Sequence, residues 1–341
     1  MPAEWEPHAA TWLTWPRQNG ISFPERFDKI PAYWVAMCNL LSPDEEVHVN
    51  VFDEAQEEEI RAHLNRGGVR MGERVFLHRF PAYEPWCRDH GPIFVVNDAT
   101  GKLAVVDWNY NAWGGKYPPY DLDDAVPQHV AKLLELPLFE PGIILEGGAI
   151  DVNGKGTLIT TESCLLHKNR NPALSKEEIE AYLRDYLNLK QILWLGDGIE
   201  GDDTDGHVDD LTRFVNATTV VTVVEEDPAD ANYRKLQENL KRLRSMRDQD
   251  GNLFRIVTLP MPGIVEHEGQ RLPASYANFY IANKTVLFPV FDHKNDRMAT
   301  ATLQDLFPNR KVVPIPCLDL IWGLGAFHCI TQQQPAAGGK K

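Results

Sequence analysis

The sequence has no long apolar run, no leader-like N-terminus and little positive charge. Across its 341 residues, no apolar stretch approaches the roughly 20 residues needed to span a bilayer. The opening, MPAEWEPHAATWLTWP, lacks the basic and apolar regions of a secretory signal. Lys and Arg number 34 against 49 Asp and Glu, a net charge of −15, which disfavours a nucleic-acid surface. We therefore expect a cytoplasmic protein with no membrane or nucleic-acid partner, and the acidic balance favours small cations.

Cysteine pairs and linkers are also missing. The five cysteines are odd in number and include no CxxC pair, which disfavours a disulfide framework or a zinc cluster and favours reduced thiols. No stretch rich in Pro, Gly or Ser divides the chain. We predict a single catalytic domain over residues 1–335 and a disordered tail over 336–341. The sequence leaves open whether the chain forms a homo-oligomer.

What the sequence does contain is a recurring strand–turn–strand pattern. Four segments show it, each with β-branched residues around a turn of Asn, Asp or Gly: GPIFVVNDATGKLAVVDW, GAIDVNGKGTLITTES, DDLTRFVNATTVVTVVEE and ANFYIANKTVLFPVF. They recur at a loose period of about 60 residues, which predicts blades arranged around an axis. The first strand, ATWLTW, and the last, FHCITQQ, would complete a fifth blade. The predicted fold is therefore an α/β five-bladed propeller.

Three amphipathic helices separate these strands. They are EAQEEEIRAHLNRGG, SKEEIEAYLRDYLNL and DPADANYRKLQENLKRLRSMRD, with Leu or Ile at helical spacing. Ser175 and Glu178 form a capping-box pattern at the start of the second. Asp227 followed by Pro228 predicts the start of the third.

Polar residues cluster where the predicted hairpins begin. They are Asp89, Glu146, His207 with Asp209, and Cys329 near the C-terminus. Each also has an ordinary structural interpretation: a turn cap, a solvated loop acid, a structural histidine and an inert core thiol. A metal held by His207, Asp209 and Cys329 is disfavoured because no second His or Cys has a fitting spacing.

The combination predicts chemistry that the single residues do not. If these segments are extended, His207 and Asp209 share a face, whereas His328 and Cys329 point apart. His207 is then the better base, and His328 a structural residue. Several carboxylates would suppress a thiolate unless the substrate is a cation that neutralises them. A planar guanidinium, which pairs with carboxylates through two parallel hydrogen bonds, fits this requirement.

The motifs that carry these residues resemble a known family. WCRDHGP, LEGGAIDVNGKGT, GHVDDLTRF and GAFHCITQQQP look like the four signatures of the agmatine deiminases, also called Porphyromonas-type peptidylarginine deiminases. The resemblance runs from EWEPHAATWLTWP to TQQQP. The family belongs to the guanidine-modifying superfamily, whose five-bladed α/β-propeller agrees with the loose repeat. The resemblance implies an enzyme that uses neither a metal nor an organic cofactor.

Carried onto this sequence, the resemblance implies a role for each clustered residue. Cys329 would be the nucleophile and His207 the general acid and base. Glu146 would position His207 and help to hold the guanidinium, and Asp89 and Asp209 would bind its nitrogens. The implied reaction hydrolyses agmatine to N-carbamoylputrescine and ammonia through an amidino-cysteine intermediate.

Three further positions bear on the substrate. Trp86 is implied to line the channel for the alkyl chain. Agmatine deiminases often carry a glutamate four residues before the histidine, at the substrate's distal amine, and this chain has the shorter Asp203 there. Ala326 stands where many members have Asn or Gly.

Other functions remain alternatives at this stage. Free arginine or peptidylarginine could be the substrate of the same machinery, and free arginine would need a cation near the pocket mouth, for which Arg88 and Arg213 are candidates. An amidinotransferase would pass the same intermediate to an amine. A non-catalytic guanidine binder would need neither Cys329 nor His207, and a Cys–His peptidase would not explain acids on several segments.

Overall fold

The computed structural model describes residues 1–337. The predicted disordered tail therefore lies largely outside the described residues, although the N–H of Ala336 donates to the carbonyl of Pro7 at 2.7 Å. The strands are β1 (His8–Thr14), β2 (Glu46–Asn50), β3 (Val75–His78), β4 (Ile93–Val96), β5 (Leu103–Val106), β6 (Leu138–Phe139), β7 (Asp151–Val152), β8 (Thr157–Thr161) and β9 (Gln191–Leu195). They continue as β10 (Thr212–Asn216), β11 (Thr219–Val224), β12 (Arg255–Pro260), β13 (Glu266–His267), β14 (Gln270–Arg271), β15 (Tyr280–Ile281), β16 (Thr285–Val290), β17 (Lys311–Pro316) and β18 (Thr331–Pro335).

Within residues 1–337, five sheets repeat one strand order. The sheets are β18–β1–β2–β3, β4–β5–β6, β7–β8–β9, β10–β11–β12 and β15–β16–β17. In each, the first two strands are antiparallel and the third lies parallel to the second. Strands β13 and β14 form a separate hairpin. All four predicted hairpins are confirmed, and so is the pairing of the first strand with the last.

The described part of the chain contains these helices: α1 (Pro31–Leu41), α2 (Glu54–Arg66), α3 (Cys87–His90), α4 (Ala112–Gly115), α5 (Asp121–Asp124), α6 (Val126–Leu133), α7 (Glu162–Leu165), α8 (Lys176–Leu187), α9 (Tyr233–Ser245) and α10 (Asp296–Leu306). All but α3, which lies between β3 and β4 of two different sheets, connect parallel strands of one sheet. A parallel pair needs such a crossover because a tight turn cannot bring the chain back in the same direction. None of the helices in the described part of the chain has the length and apolarity that a membrane crossing requires.

The three predicted helices are present, and one begins later than expected. The capping box of Ser175 and Glu178 forms at the start of α8. Helix α9 starts at Tyr233 rather than beside Pro228, so the predicted start is wrong. The Asp227 carboxylate instead accepts the N–H of Ala229 in a turn, a local bond that competes with helix initiation.

The core lies between the sheets and their helices. Its largest cluster joins the β1 and β2 region to β10–β12 and β15–β17, and smaller clusters lie around β7–β9 and β4–β5. Short 3-10 turns, Gly147–Ala149 and Val208–Asp210, stand just before β7 and β10, and a third, Ile321–Gly323, precedes the loop that leads to β18. Polar side chains lie on these segments, just before the first strands of the sheets.

Candidate active site

Every predicted site residue of the central cluster lies just before the first strand of a sheet. The positions are Asp89 on α3 before β4, Glu146 before β7, His207 and Asp209 before β10, and Cys329 before β18. The remaining sheet contributes Asn278, two residues before β15. The repeated architecture therefore brings segments that are far apart in sequence to one place.

Gly148 marks the point where three of these side chains meet. A Cβ atom at this glycine would stand 2.5 Å from His207 Nδ1, 2.7 Å from Asp89 Oδ1 and 3.0 Å from Asp209 Oδ2. The N–H of Gly148 donates to Asp89 Oδ1 at 3.0 Å. Only a residue without a side chain allows this approach.

Cys329 belongs to the same cluster and is almost completely buried. Its Sγ lies 3.7 Å from Asp209 Oδ2 and accepts a hydrogen bond from Asn278 Nδ2 at 3.0 Å. Burial, followed by the carboxylates of Asp209, Asp210 and Asp89, raises the pKa of the Cys329 thiol well above its usual value. Without a cation the thiol form is therefore favoured.

His207 is fully buried beside Asp89. The Nδ1 atom lies 3.6 Å from Asp89 Oδ1, and within residues 1–337 neither ring nitrogen has a hydrogen-bond partner. Burial alone lowers the pKa of His207, but Asp89, then Cys164 and Asp209, raise it, and the result lies well above the usual value. At neutral pH the imidazole carries a proton that it can give to a leaving group.

The two aspartates have different environments. Asp89 Oδ2 accepts the indole N–H of Trp113 at 2.9 Å, and burial raises the pKa of Asp89 to about 6. Burial also disfavours the charged form of Asp209, but the 2.7 Å hydrogen bond from His328 Nδ1, together with the charges of His328, His207 and Arg213, lowers the pKa of Asp209. Asp209 thus keeps its negative charge more readily than Asp89.

Glu146 is held by an arginine that sequence reasoning missed. Arg170 Nε donates to Glu146 Oε1 at 2.7 Å, and both side chains are fully buried. The second oxygen, Oε2, has no hydrogen-bond partner among the described residues. One oxygen is therefore anchored while the other remains available.

Trp86 and Asp203 line a cavity of about 260 Å³. Trp86 and Trp113 form part of its wall, and Trp86 packs so closely on the loop before Cys329 that a Cβ at Gly325 would stand 2.5 Å from its ring. Asp203 is engaged by Tyr117, whose hydroxyl donates to Oδ2, and by Lys116, whose Nζ lies 3.3 Å from Oδ1. Asp89, Glu146, His207, Asp209 and Cys329 do not line this cavity themselves. Its walls contact the cluster through Trp113, which donates to Asp89, and through Trp86 beside the loop before Cys329.

One expectation about the backbone is wrong, and the two candidate cations for a free-arginine carboxylate lie elsewhere. His207 and Asp209 do not lie on an extended strand, because Val208–Asp210 forms a 3-10 turn with His207 at its start. Arg88 and Arg213 do not stand near the mouth of the cavity. Both are buried and paired with Glu4, at 3.2 and 2.9 Å, because an enclosed guanidinium requires an enclosed carboxylate.

Glu4 also reaches the cluster through His328. His328 Nε2 lies 2.8 Å from Glu4 Oε2, while its Nδ1 lies 2.7 Å from Asp209. His328 therefore bridges two buried carboxylates. This position agrees with its exclusion as a base, because both ring nitrogens are engaged.

One group of three side chains offers ligand atoms close enough together for a metal in residues 1–337. Glu146, Cys164 and His207 place such atoms within 4.8 Å of one another. The Arg170 guanidinium already neutralises Glu146, so a second positive charge at this carboxylate would be opposed by the first. The set that we considered from the sequence, with Asp209 and Cys329, is not the one that forms this group.

The sequence could have indicated one missed residue. Asn278 lies in the short segment just before the fourth hairpin, and Asp89, Gly148 and Asp209 lie in the corresponding segments of the others, so the internal repeat points to its neighbourhood. Arg170, Trp113 and Glu4 lie outside these positions and carry no comparable signal.

Comparison with known proteins shows which family the chain belongs to. The sequence description of the Porphyromonas-type peptidyl-arginine deiminase family matches residues 1–335. The chain belongs to this family. An agmatine deiminase of Pseudomonas syringae pv. tomato is 39% identical over 363 residues, covering 98% of this chain and 95% of the relative.

Solved structures of the family have the same α/β fold. The agmatine deiminase of Enterococcus faecalis superposes with a TM-score of 0.92 at 34% identity, covering 99% of this chain and 96% of that chain. A cysteine-to-serine variant of the C. jejuni agmatine deiminase with substrate bound has a TM-score of 0.88 at 30% identity, covering 100% and 96%. The resemblance seen in the four sequence motifs is thereby confirmed.

Proposed function

We propose that this protein is an agmatine deiminase, which hydrolyses agmatine to N-carbamoylputrescine and ammonia. The observation that carries the proposal is the convergence of the Cys329 thiol, the His207 imidazole and the carboxylates of Asp89, Asp209 and Glu146 beside a tryptophan-lined cavity. Its relatives named as agmatine deiminases cover nearly the whole chain. The expected partner is a small guanidinium cation, and no metal or organic cofactor has a step in the reaction.

Binding of the guanidinium prepares the nucleophile. Asp89 and Asp209 face the planar cation and pair with its nitrogens, and the free oxygen of Glu146 supplies a third acceptor. The bound positive charge offsets the carboxylates that hold the pKa of Cys329 high. Substrate binding therefore favours the thiolate only when its target is present, and the thiol proton is released to solvent because His207 is already protonated.

Two proton transfers by His207 complete the reaction. The Cys329 thiolate attacks the guanidinium carbon, a C–S bond forms, and the C–N bond breaks as His207 protonates the departing ammonia. An amidino-thioether remains on Cys329. Water then attacks the same carbon while His207 accepts its proton, and the C–S bond breaks so that its electron pair returns to sulfur. The product carries a ureido group.

We assign Trp86 and Asp203 to binding of the alkyl chain and the distal amine of the substrate. The apolar wall that includes Trp86 suits a four-carbon chain, and Asp203 at the rim suits its terminal ammonium. Arg88 and Arg213 are buried with Glu4, so neither can bind the carboxylate of free arginine. This arrangement favours agmatine over free arginine.

We also propose that the five sheets are blades of one propeller within a single domain over residues 1–335. The repeated strand order supports this arrangement, as does the pairing of β1 with β18. Hydrogen bonds between successive site segments, including Arg88 N–H to the Cys329 carbonyl at 3.0 Å, support a common centre.

The test is a product assay on a panel of guanidines. Purified protein with agmatine should release ammonia and a ureido product in equal amounts, and Cys329→Ser should release neither. Free arginine and a blocked arginine peptide should react more slowly. Faster turnover of either compound would replace agmatine as the substrate, and undiminished turnover by Cys329→Ser would overturn the mechanism.

A further inference from the structure

The nucleophile has a hydrogen-bond donor that the sequence motifs do not include. Asn278 stands before β15, and its Nδ2 lies 3.0 Å from Cys329 Sγ. The side chain is almost completely buried. Within residues 1–337, it supplies the side-chain N–H that reaches the sulfur.

The surrounding groups determine which end of the amide faces the thiol. Asn278 Oδ1 accepts the N–H groups of His328 at 3.1 Å and Cys329 at 3.3 Å. Its Nδ2 donates to Asp210 Oδ1 at 3.0 Å. A flipped amide would set its oxygen against a carboxyl group and the sulfur, and its NH2 against two N–H donors. The hydrogen-bond network therefore directs the NH2 group at the sulfur.

A hydrogen-bond donor at the sulfur would offset the unfavourable electrostatics of a thiolate at this site. The carboxyls of Asp209, Asp210 and Asp89 all raise the pKa of the Cys329 thiol, and the His207 imidazole meets Asp89 and Asp209 beside Gly148. All three carboxyls oppose a thiolate. Burial first, and Asp209 and Asp202 next, raise the pKa of Asp210 well above its usual value, so Asp210 orients the amide without adding a full negative charge.

We propose that Asn278 is a catalytic residue of the reaction described above, whose Nδ2–H group stabilises the Cys329 thiolate. This inference rests on the proposed function. The same donor acts twice: on the thiolate before it attacks the guanidinium carbon, and on the sulfur when the C–S bond breaks and its electron pair returns. Asp210 is a positioning residue that acts through Asn278.

The test measures the thiol directly. Alkylation of Cys329 by iodoacetamide, followed by mass spectrometry over a range of pH, gives its apparent pKa without any substrate. In Asn278→Leu and Asn278→Ala this pKa should rise by about one to two pH units, because a hydrogen bond to a charged group is lost. The kcat/KM for agmatine should fall about tenfold or more.

The direction in which the pKa of Cys329 changes distinguishes a catalytic role of Asn278 from a purely structural one. If Asn278 only pinned the loop, its loss would let water reach the sulfur, and the pKa of Cys329 would fall towards its usual value because burial contributes most to the elevation. A lowered or unchanged pKa in both variants therefore overturns the proposal. Two variants are used so that one that fails to fold does not prevent the test.

A matched control is available in Asn239. This residue is also buried, and its amide bonds only to the backbone of Gly196 and Asp197. Asn239→Leu should leave the pKa of Cys329 unchanged. Because alkylation needs no substrate, failure of wild-type protein to deiminate agmatine would reject the proposed function and not the role of Asn278 at the thiolate.

Discussion

The carboxylate of Asp89 lies 3.6 Å from the imidazole of His207, with Oδ1 facing Nδ1. Of the influences that raise the pKa of His207 against its burial, Asp89 is the largest. The pair would therefore link substrate binding to proton transfer, because the acid that we propose to hold the guanidinium also keeps the proton on the ring.

Replacing Asp89 by Asn should lower the pKa of His207. The sign follows from the loss of a negative charge: the imidazolium becomes less stable and releases its proton at lower pH. NMR titration of the His207 ring measures this directly. Asp203→Asn is the matched control, because Asp203 is not among the largest influences on the pKa of His207. An unchanged His207 titration in Asp89→Asn would contradict the coupling.

The Cys329 thiol should be largely protonated in the free enzyme near neutral pH. Its pKa is raised by burial and by neighbouring carboxylates, so the thiolate forms only as the pH rises well above 9. Thiolate absorbance at 240 nm, as the difference between wild type and Cys329→Ser, tests this. The other four thiols are also buried and have raised pKa values, so they add little signal near pH 7. Full ionisation at pH 7 would show that the carboxylates do not govern the thiol.

Gly148→Ala should abolish most activity while the protein stays folded. The added methyl would stand 2.5 Å from His207 Nδ1 and 2.7 Å from Asp89 Oδ1, and both side chains would have to move. A displacement of about 1 Å at reacting groups costs on the order of 100-fold in rate. Steady-state kinetics and circular dichroism measure the two properties.

Gly196→Ala is the control for this substitution. A Cβ there meets its nearest neighbour at 3.4 Å, an ordinary contact, so activity should be retained. Equal activity of the two variants would mean that the close approach at Gly148 has no part in catalysis.

Asp203 should determine the affinity for the distal amine. Asp203→Asn should raise KM for agmatine about two- to fivefold with kcat unchanged, as expected for a partly exposed ion pair. Butylguanidine, which lacks the amine, should be unaffected. Since Lys116 competes for the same carboxylate, Lys116→Met should lower KM for agmatine. Equal effects of Asp203→Asn on both compounds would place the amine elsewhere.

The sequence predicted the parts of this molecule that rest on local pattern. The hairpins follow from β-branched runs around Asn and Gly turns, and the capping box at Ser175 follows from its two side chains. The first turn of α9 was misplaced because Asp227 closes a turn with Ala229 before the helix begins. The period of the hairpins predicted which segments meet, and the fold places His207 and Asp209 of one such segment beside Asp89 of another.

Long-range pairing was not predictable in the same way. No local sequence pattern relates Arg170 to its partner Glu146, which lies in another segment. The sequence could not place Arg88 and Arg213, the candidate cations for a free-arginine carboxylate, whereas in the fold their partner is Glu4 at the start of the chain. The side chains that support the site come from positions outside the repeat, and only the assembled fold brings them together.

Glu4→Gln should destabilise the fold by about 3 kcal/mol at neutral pH, the loss expected when one partner of a buried ionic group is removed. The Glu4 carboxylate pairs with the side chains of Arg213, Arg88 and His328. Burial opposes its charge, but Arg213 and His328 hold the pKa of Glu4 well below its usual value. A depressed pKa stabilises the folded state above the unfolded value of about 4.3, and this contribution disappears as the pH falls through the folded value.

The difference in unfolding free energy between wild type and Glu4→Gln should therefore be full at pH 7 and shrink only below about pH 4.3. Urea denaturation at several pH values gives this difference. Glu6→Gln, at an exposed acid two residues away, should be close to wild type throughout. A deficit that grows as the pH falls would mean that Glu4 is protonated in the folded protein. In that case Glu4 would carry no negative charge to pair with Arg88, Arg213 and His328.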